Sequence, residues 1–575
     1  MVSIPFEGFI GPSYQLDNRY SGIERTVNWY LLANESQGES KWKYAFEPSP
    51  CNQAFCTLAL SSPYNQPNRG LIENRGHVYG VNGATVFEID STGAFTNIGT
   101  VTDDGKPCSM VANGTGQVFI ASAGLGYMIP NGGGAGSLVP ITTADFLGAS
   151  FATFQDGYII VVTPNSNGFQ ISGTDASPLG DARLWSAANV SLQTGQQGYL
   201  RAVISSREYL RLYCDRRTLV YYNVGNGGIG GFPFQSYNET FIETGIAAVF
   251  SLADMGDSQM WIGQDARGQR ACWRDSAFQP QRVSTFAVEQ FWQSYARVDD
   301  AVAFPYIWKG HLIYRVTFPS AYESAVRFPL GAPTGAYTSA TWEYDATLSG
   351  LLKQPIWCER AYQTALGYSV GRPELFHCYA FGKHLVGSGG ADGNPGAVYQ
   401  MADSPWTDCG TDLDGAQVQQ QVVRDRICPH IFNGNKRIVY NRIEFELARG
   451  VGLDGAPPTA PPIQFGYSTD SGATWTAESQ VPAGQLEQYG LPVPQSITTP
   501  GDGTNPQLLL RWSNDGGNTW TAEQNIPAGR IGEYGKRVYW NRCGYARDRV
   551  FWLRASDPVY WGIVGAELDV TPMAS

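Results

Sequence analysis

HVYGVNGATVFEI, residues 77–89, is two short apolar runs set around Asn82-Gly83. Asn-Gly accepts the positive φ that a tight hairpin turn needs, and apolar residues alternate on either side. The stretch therefore predicts a β-hairpin with a type I′ turn. FATFQDGYIIVVT, residues 151–163, repeats the pattern around Asp156-Gly157. Residues 116–122 read as another strand, and paired runs follow at 209–214 with 219–222 and at 260–263 with 270–273. A further pair, 311–318 with 341–344, is joined by a long loop rich in Gly, Pro, Ser and Ala. Hairpins continuing at this spacing, with about 40–50 residues for each four-stranded unit, predict a β-propeller of seven or eight blades. An array of sandwiches is the alternative.

The composition agrees with an all-β chain. Its 575 residues are enough for more than one domain, or for one large β domain and a smaller one. Charged residues make up only 16% and aromatics reach 13%. The 67 glycines and 34 prolines are well above ordinary usage, as many tight turns require. We divide the chain into an extended N-terminal segment (1–55), a propeller (56–410) and a C-terminal, sandwich-like β domain (411–575). The second boundary falls where the glycine-rich HLVGSGGADGNPGAVYQ, residues 384–400, gives way to the polar TDLDGAQVQQQ, residues 411–421. One short helix is expected after Ser284 or Thr285, with Val288, Phe291, Trp292 and Tyr295 on one face.

A duplication marks the C-terminal domain. Residues 468–490 and 513–535 match at 13 of 23 positions with an offset of 45, and both contain Ser-x-Asp-x-Gly-x-Thr-Trp, the Asp-box. Asp470 and Asp515 can accept hydrogen bonds from amides of their own turn. Gly472 and Gly517 supply positive φ, and Trp475 and Trp520 start the returning strand beneath it. The box reads as a stapled hairpin tip, with no residue placed for chemistry.

No constellation of catalytic residues stands out. The chain has no phosphate-binding GxxxxGK[ST] loop. His377, Cys378 and His384 lie close together but lack a zinc-site spacing, so neither metal nor cofactor is expected. The net charge of -12 argues against general affinity for nucleic acid. The sequence shows neither a signal peptide nor an apolar run long enough for a membrane span. The ten cysteines read as reduced, buried thiols. Residues 530–554 oppose this acidic background with seven basic residues, among them Arg537, Arg542, Arg547 and Arg549. Arginine suits fixed bidentate pairs, so the cluster is a candidate docking face for an acidic partner. Internal pairing is the competing explanation.

Several stretches in succession resemble the tail-nozzle family of short-tailed bacteriophages, also called packaged-DNA stabilisation or tail-hub proteins. These are REYLRLYCDRRTLVYYNVG (207–225), FIETGIAAVFSLADMGDSQMWIGQDARGQ (241–269), VSTFAVEQFWQSY (283–295), KGHLIYRVTFP (309–319) with TWEYD (341–345), and SNDGGNTW running to RVFWLRASDPV (513–559). The family usually shows one box hairpin, so residues 463–490 read as an inserted copy. The resemblance implies a homo-hexamer below the portal adaptor ring that continues the DNA channel, retains the genome and supports spikes, fibres or a needle-like plug. It also implies a virion location after assembly in the host cytoplasm, with genomic DNA passing through without sequence-specific binding. Two other readings stay open. Asp-boxes also occur in sialidases, which suggests a glycan-binding or glycan-cleaving propeller. A Trp-rich β protein also suits a receptor-binding adhesin.

Overall fold

The computed structural model describes residues 3–573 apart from 36–41, 57–61, 174–182, 194–197, 226–231, 265–267, 269, 324–336, 365–368, 412–416, 435 and 454–502. Strands dominate it, and most pair with their sequence neighbours as antiparallel meanders. Six sheets of four or five strands stand as blades, spanning residues 68–100, 109–140, 151–192, 200–242, 245–282 and 374–402. The last is completed by Cys51–Cys56, which pairs with Val398–Ala402 and so closes the ring with a strand from the other end of the propeller.

Six separate blades are fewer than the seven or eight expected. A seventh position is filled by Val302–Trp308, His311–Glu323, Tyr337–Asp345 and Trp357–Arg360, which continue into a sheet of 11 strands. Strand spacing cannot distinguish a free blade from four strands fused to a neighbouring domain, because both have the same local hairpin pattern. Apolar contacts between neighbours close the circle. Phe304, Tyr306 and Ile313 of the fused blade pack on Val386 and Tyr399 of the last one. That blade in turn packs Cys378 and Leu385 against Val78 and Phe87 of the first.

The C-terminal domain is a β-sandwich. One layer is the far half of the large sheet, with Ile23–Val27, Arg424–Ile427, Asp548–Ala555, Gln507–Ser513 and Gln524–Pro527. The other is a seven-stranded sheet built on Ile438–Leu447 and Ile563–Pro572. Trp29, Phe46, Phe445, Trp540, Phe551 and Trp561 fill the space between. The first 55 residues contribute to both layers. Ile23–Val27 lies in one, and Ser3–Pro5, Trp29–Ala33 and Tyr44–Pro48 lie in the other.

The local expectations meet the structure unevenly. Asp156 (φ 52°) and Gly157 (φ 86°) are both left-handed between Gln155 and Tyr158, as a type I′ turn requires. Around Asn82-Gly83 the turn sits one residue later. Asn82 pairs with Thr85 inside the ladder, and only Gly83 has positive φ, the type II′ arrangement. Asn82 is held in the strand because its buried amide accepts from Asn68 and donates to the Gly396 carbonyl. The expected helix is Phe286–Ser294, and Thr285 caps it by accepting from the Val288 amide. A second helix, Ala346–Leu352, is capped by Asp345.

Candidate functional site

The second Asp-box is built as its sequence suggests. Asp515 Oδ1 accepts from the amides of Asn518 (3.0 Å) and Thr519 (2.9 Å) and from the Ser513 hydroxyl (2.7 Å). The Thr519 hydroxyl donates to Oδ2, and the Gly517 amide donates to Ser513 Oγ. Hydrogen bonds from the Thr519 hydroxyl and amide hold the Asp515 carboxyl down to about 2. Gly517, at φ 85°, lies over the Ile23 and Trp520 side chains, where an added Cβ would come 2.5 Å from Ile23 Cδ1. Trp520 meets Trp552 edge to face at 5.2 Å.

The N-terminal segment grips this tip. Tyr20 donates its hydroxyl to the Asp515 carbonyl, Arg19 donates to the Gly517 carbonyl, and His430 bonds both Asp548 and the Arg19 carbonyl. The polar groups of Ser513, Asp515, Gly517 and Thr519 staple the turn or hold this clasp. Asp515→Ala is therefore expected to cost about 1 kcal/mol in thermal unfolding. The first box, with Asp470, Gly472 and Trp475, lies outside the described residues.

Of the arginine cluster, Arg537, Arg542 and Arg547 are exposed at the margin of the seven-stranded sheet. Arg549 does not belong with them. It is 1% exposed and stacks against Tyr440 at 4.2 Å, with Trp512 and Phe551 beside it. Strand alternation turns it inward, and it donates to Asn514 and to the Cys543 carbonyl.

His377 and His384 do meet, with ring nitrogens 3.0 Å apart. Burial, the neighbouring His384 and Arg315 hold His377 down to about 3. Cys378 faces the opposite side of its strand, in the core shared with the first blade. Among the described residues no group of three or more His, Cys, Asp or Glu is arranged to hold a metal.

The most constrained polar site lies where the fused blade, the last blade and the N-terminal segment converge, and only the tertiary structure assembles it. Arg315, Glu343, Arg360, Arg372, Glu374 and Asp408 are nearly inaccessible to solvent. Arg315 donates to Glu343 (2.6 Å) and lies 3.3 Å from Glu374. Arg360 pairs with Glu343 and donates to the Trp29 carbonyl. Arg372 bonds both Glu374 (2.9 Å) and Asp408 (2.9 Å), and Asp408 also accepts the Asn52 amide. Three cations thus balance three anions. Burial alone would raise the Glu374 carboxyl, but Arg372 and Arg315 outweigh it and hold the group down to about 2.

Beside this cluster Asn28 takes a left-handed φ of 58° at the point where the chain passes from one sandwich layer to the other. Its amide donates to the carbonyls of Ala361 and Val423. A cavity of about 50 Å³ lies next to Arg360, and a larger one of about 400 Å³ lies at the Leu32–Tyr44 end of the sandwich, lined by Trp42 and Val564. The cluster ties the fused blade, the last blade and the N-terminal segment together.

The geometry defines a propeller fused through one continuous sheet to a β-sandwich, with buried ion pairs at their junction. Two family matches place it. Residues 63–326 match the family described as bacteriophage P22 Gp10, beta-propeller, and residues 495–571 match that described as bacteriophage P22 Gp10, beta-sandwich. The chain belongs to this family of tail stabilisation proteins and is a structural component of a phage tail.

No curated protein matches the chain. Solved structures with similarity include virginiamycin B lyase from Staphylococcus aureus, at 9% identity over 59% of this chain and 95% of that one, with a TM-score of 0.36. A streptogramin B lyase shares 11% identity over 46% of this chain and 93% of that one, with a TM-score of 0.27. At these scores the lyases carry no argument about this chain.

Proposed function

We propose that the chain is a subunit of the tail nozzle. Six copies form a ring beneath the portal adaptor, continue the DNA channel, retain the packaged genome and carry tail spikes, fibres or a plug. The observation that carries this reading is the family match over both domains, one in the propeller and one in the sandwich. The buried ionic junction supports it, because a subunit that transmits force between head and appendages needs its two domains to move as one. The net charge of -12 supports a passage that DNA traverses without adhering.

The test is the copy number of this chain relative to portal protein in purified virions, measured by quantitative mass spectrometry. A ratio of about one half is expected for a six-fold ring on a twelve-fold portal. Absence from particles would refute the proposal, and a ratio well above one half would point to a trimeric fibre or adhesin.

A further inference from the structure

One face of the last blade gathers soft and nitrogen donors. The register pairs Tyr379 on Glu374–Ala380 with His384 on Lys383–Ser388, and His384 with Met401 on Val398–Ala402. Directly paired residues project to the same side of a sheet. His377 stands diagonally across from His384 on that side, and the two rings meet with Nε2 and Nδ1 3.0 Å apart. Met401 is buried in a cluster with Tyr306 and Trp308 of the fused blade. The same two rings lie against His384, at 6.2 and 5.7 Å, and Phe304 stacks on His377 at 5.4 Å. Two imidazoles and a thioether thus converge under one aromatic wall. His384 is half-buried and Tyr379 beside it is 59% exposed, so the group reaches solvent at this end.

We propose that His377, His384 and Met401 bind one copper(I) ion at the seam between the last blade and the fused blade. The separation of the two histidines along the chain carries no metal signature, and Cys378 faces the core shared with the first blade. Strand pairing supplies Met401 as the third donor in its place. Imidazole suits copper, and a thioether selects its monovalent form. Bonds of about 2.0–2.1 Å from a metal to two imidazoles set their nitrogens roughly 3.3–3.6 Å apart. The rings therefore need to part by only about half an ångström for an ion to replace the hydrogen they share.

The electrostatics favour a single positive charge. All three donors are neutral and so offset none of the charge of the ion. Arg315 lies over the Phe304 and Tyr306 rings, at 5.6 and 5.1 Å, and is paired with Glu343 and Glu374. A monovalent ion is repelled less by that neighbour than a divalent one. The faces of Tyr306 and Trp308 attract a cation. Protons compete weakly: burial, with His384 and Arg315 nearby, holds His377 down to about 3, and burial lowers His384 as well. Neutral imidazole is the form that binds metal.

The experiment titrates the full-length chain with copper(I), kept reduced by ascorbate without oxygen, against a coloured copper(I) chelator. We expect one ion per chain, with two nitrogen neighbours and one sulfur neighbour in X-ray absorption. His384→Gln should weaken binding roughly a hundredfold, and Met401→Leu roughly tenfold with loss of the sulfur neighbour. Copper should raise the melting temperature of the wild type and leave that of His384→Gln unchanged. No uptake at micromolar free copper would overturn the inference, as would a His384→Gln variant that binds as tightly as the wild type. A site with sulfur neighbours alone would also overturn it, because the cysteine thiols would then be the ligands. Should either variant fail to fold, the neighbours seen in the wild-type spectrum decide the question.

Discussion

A chain lacking residues 1–56 is expected not to fold. The deleted residues read as an extended segment in the sequence, yet they supply strands to three sheets. Cys51–Cys56 completes the last propeller blade, Ile23–Val27 bridges Trp357–Arg360 and Arg424–Ile427, and Trp29–Ala33 with Tyr44–Pro48 forms one side of the sandwich. Trp29 and Phe46, both essentially inaccessible, would leave a void in the sandwich core. Losing either aromatic alone costs about 3–5 kcal/mol in a packed core. The unpaired backbone of three strands adds to that, against a total stability of about 5–15 kcal/mol for a typical domain. The expected readout is the loss of cooperative melting in circular dichroism. Adding the 1–56 peptide in trans should restore part of it. A truncated chain that melts cooperatively near the wild-type temperature would show that the closing strand is dispensable.

Arg372→Ala is expected to be the most damaging exposure-neutral substitution in the junction. It removes the cation that Glu374 and Asp408 share and leaves two carboxylates in a site with no solvent. Breaking a buried pair this way costs about 3–5 kcal/mol. Chemical denaturation at neutral pH checks it, and Asp408→Asn in the Arg372→Ala background should recover part of the loss, because Asp408 loses its ion-pair partner while Glu374 keeps Arg315 at 3.3 Å.

The pH dependence has a definite sign. Glu374 is held at about 2 in the folded chain, against about 4.3 when unfolded. Its contribution is therefore complete above the unfolded value and is lost as pH falls toward 2. Asp392 runs the other way. Burial raises it to about 6 despite hydrogen bonds from Tyr399 and Ser388, so its contribution is greatest in acid and is lost as pH rises through that value. Wild-type protein should resist acid down to the range in which Glu374 protonates, and the Arg372→Ala variant should unfold at a higher pH.

Much of the architecture was legible in residues that act locally. Asp156-Gly157 specified its turn because positive φ at two successive positions is a property of the turn itself. Thr285 and the Val288/Trp292 spacing specified a helix for the same reason, and the Ser513–Asp515–Thr519 bonds of the box all lie within one hairpin. The Asp345 cap of Ala346–Leu352 was a signal of the same kind that the strand rhythm obscured. The candidate docking arginines were less legible. Arg537 and Arg549 look alike in a charge count, but the alternation of their strands sends one outward and the other into an aromatic pocket.

The sequence by itself determined the class of the fold, the hairpin rhythm, the mechanical character of the Asp-box and the family, because each rests on contacts between residues a few positions apart or on short stretches in a characteristic order. Only the tertiary structure decided how the ring closes, that the seventh blade is shared with the sandwich, and that Arg315, Glu343, Arg360, Arg372, Glu374 and Asp408 form one neutral cluster. Those outcomes depend on strands and charges far apart in the chain, whose pairing is settled by which apolar faces and which buried ions can satisfy one another once the whole molecule is packed.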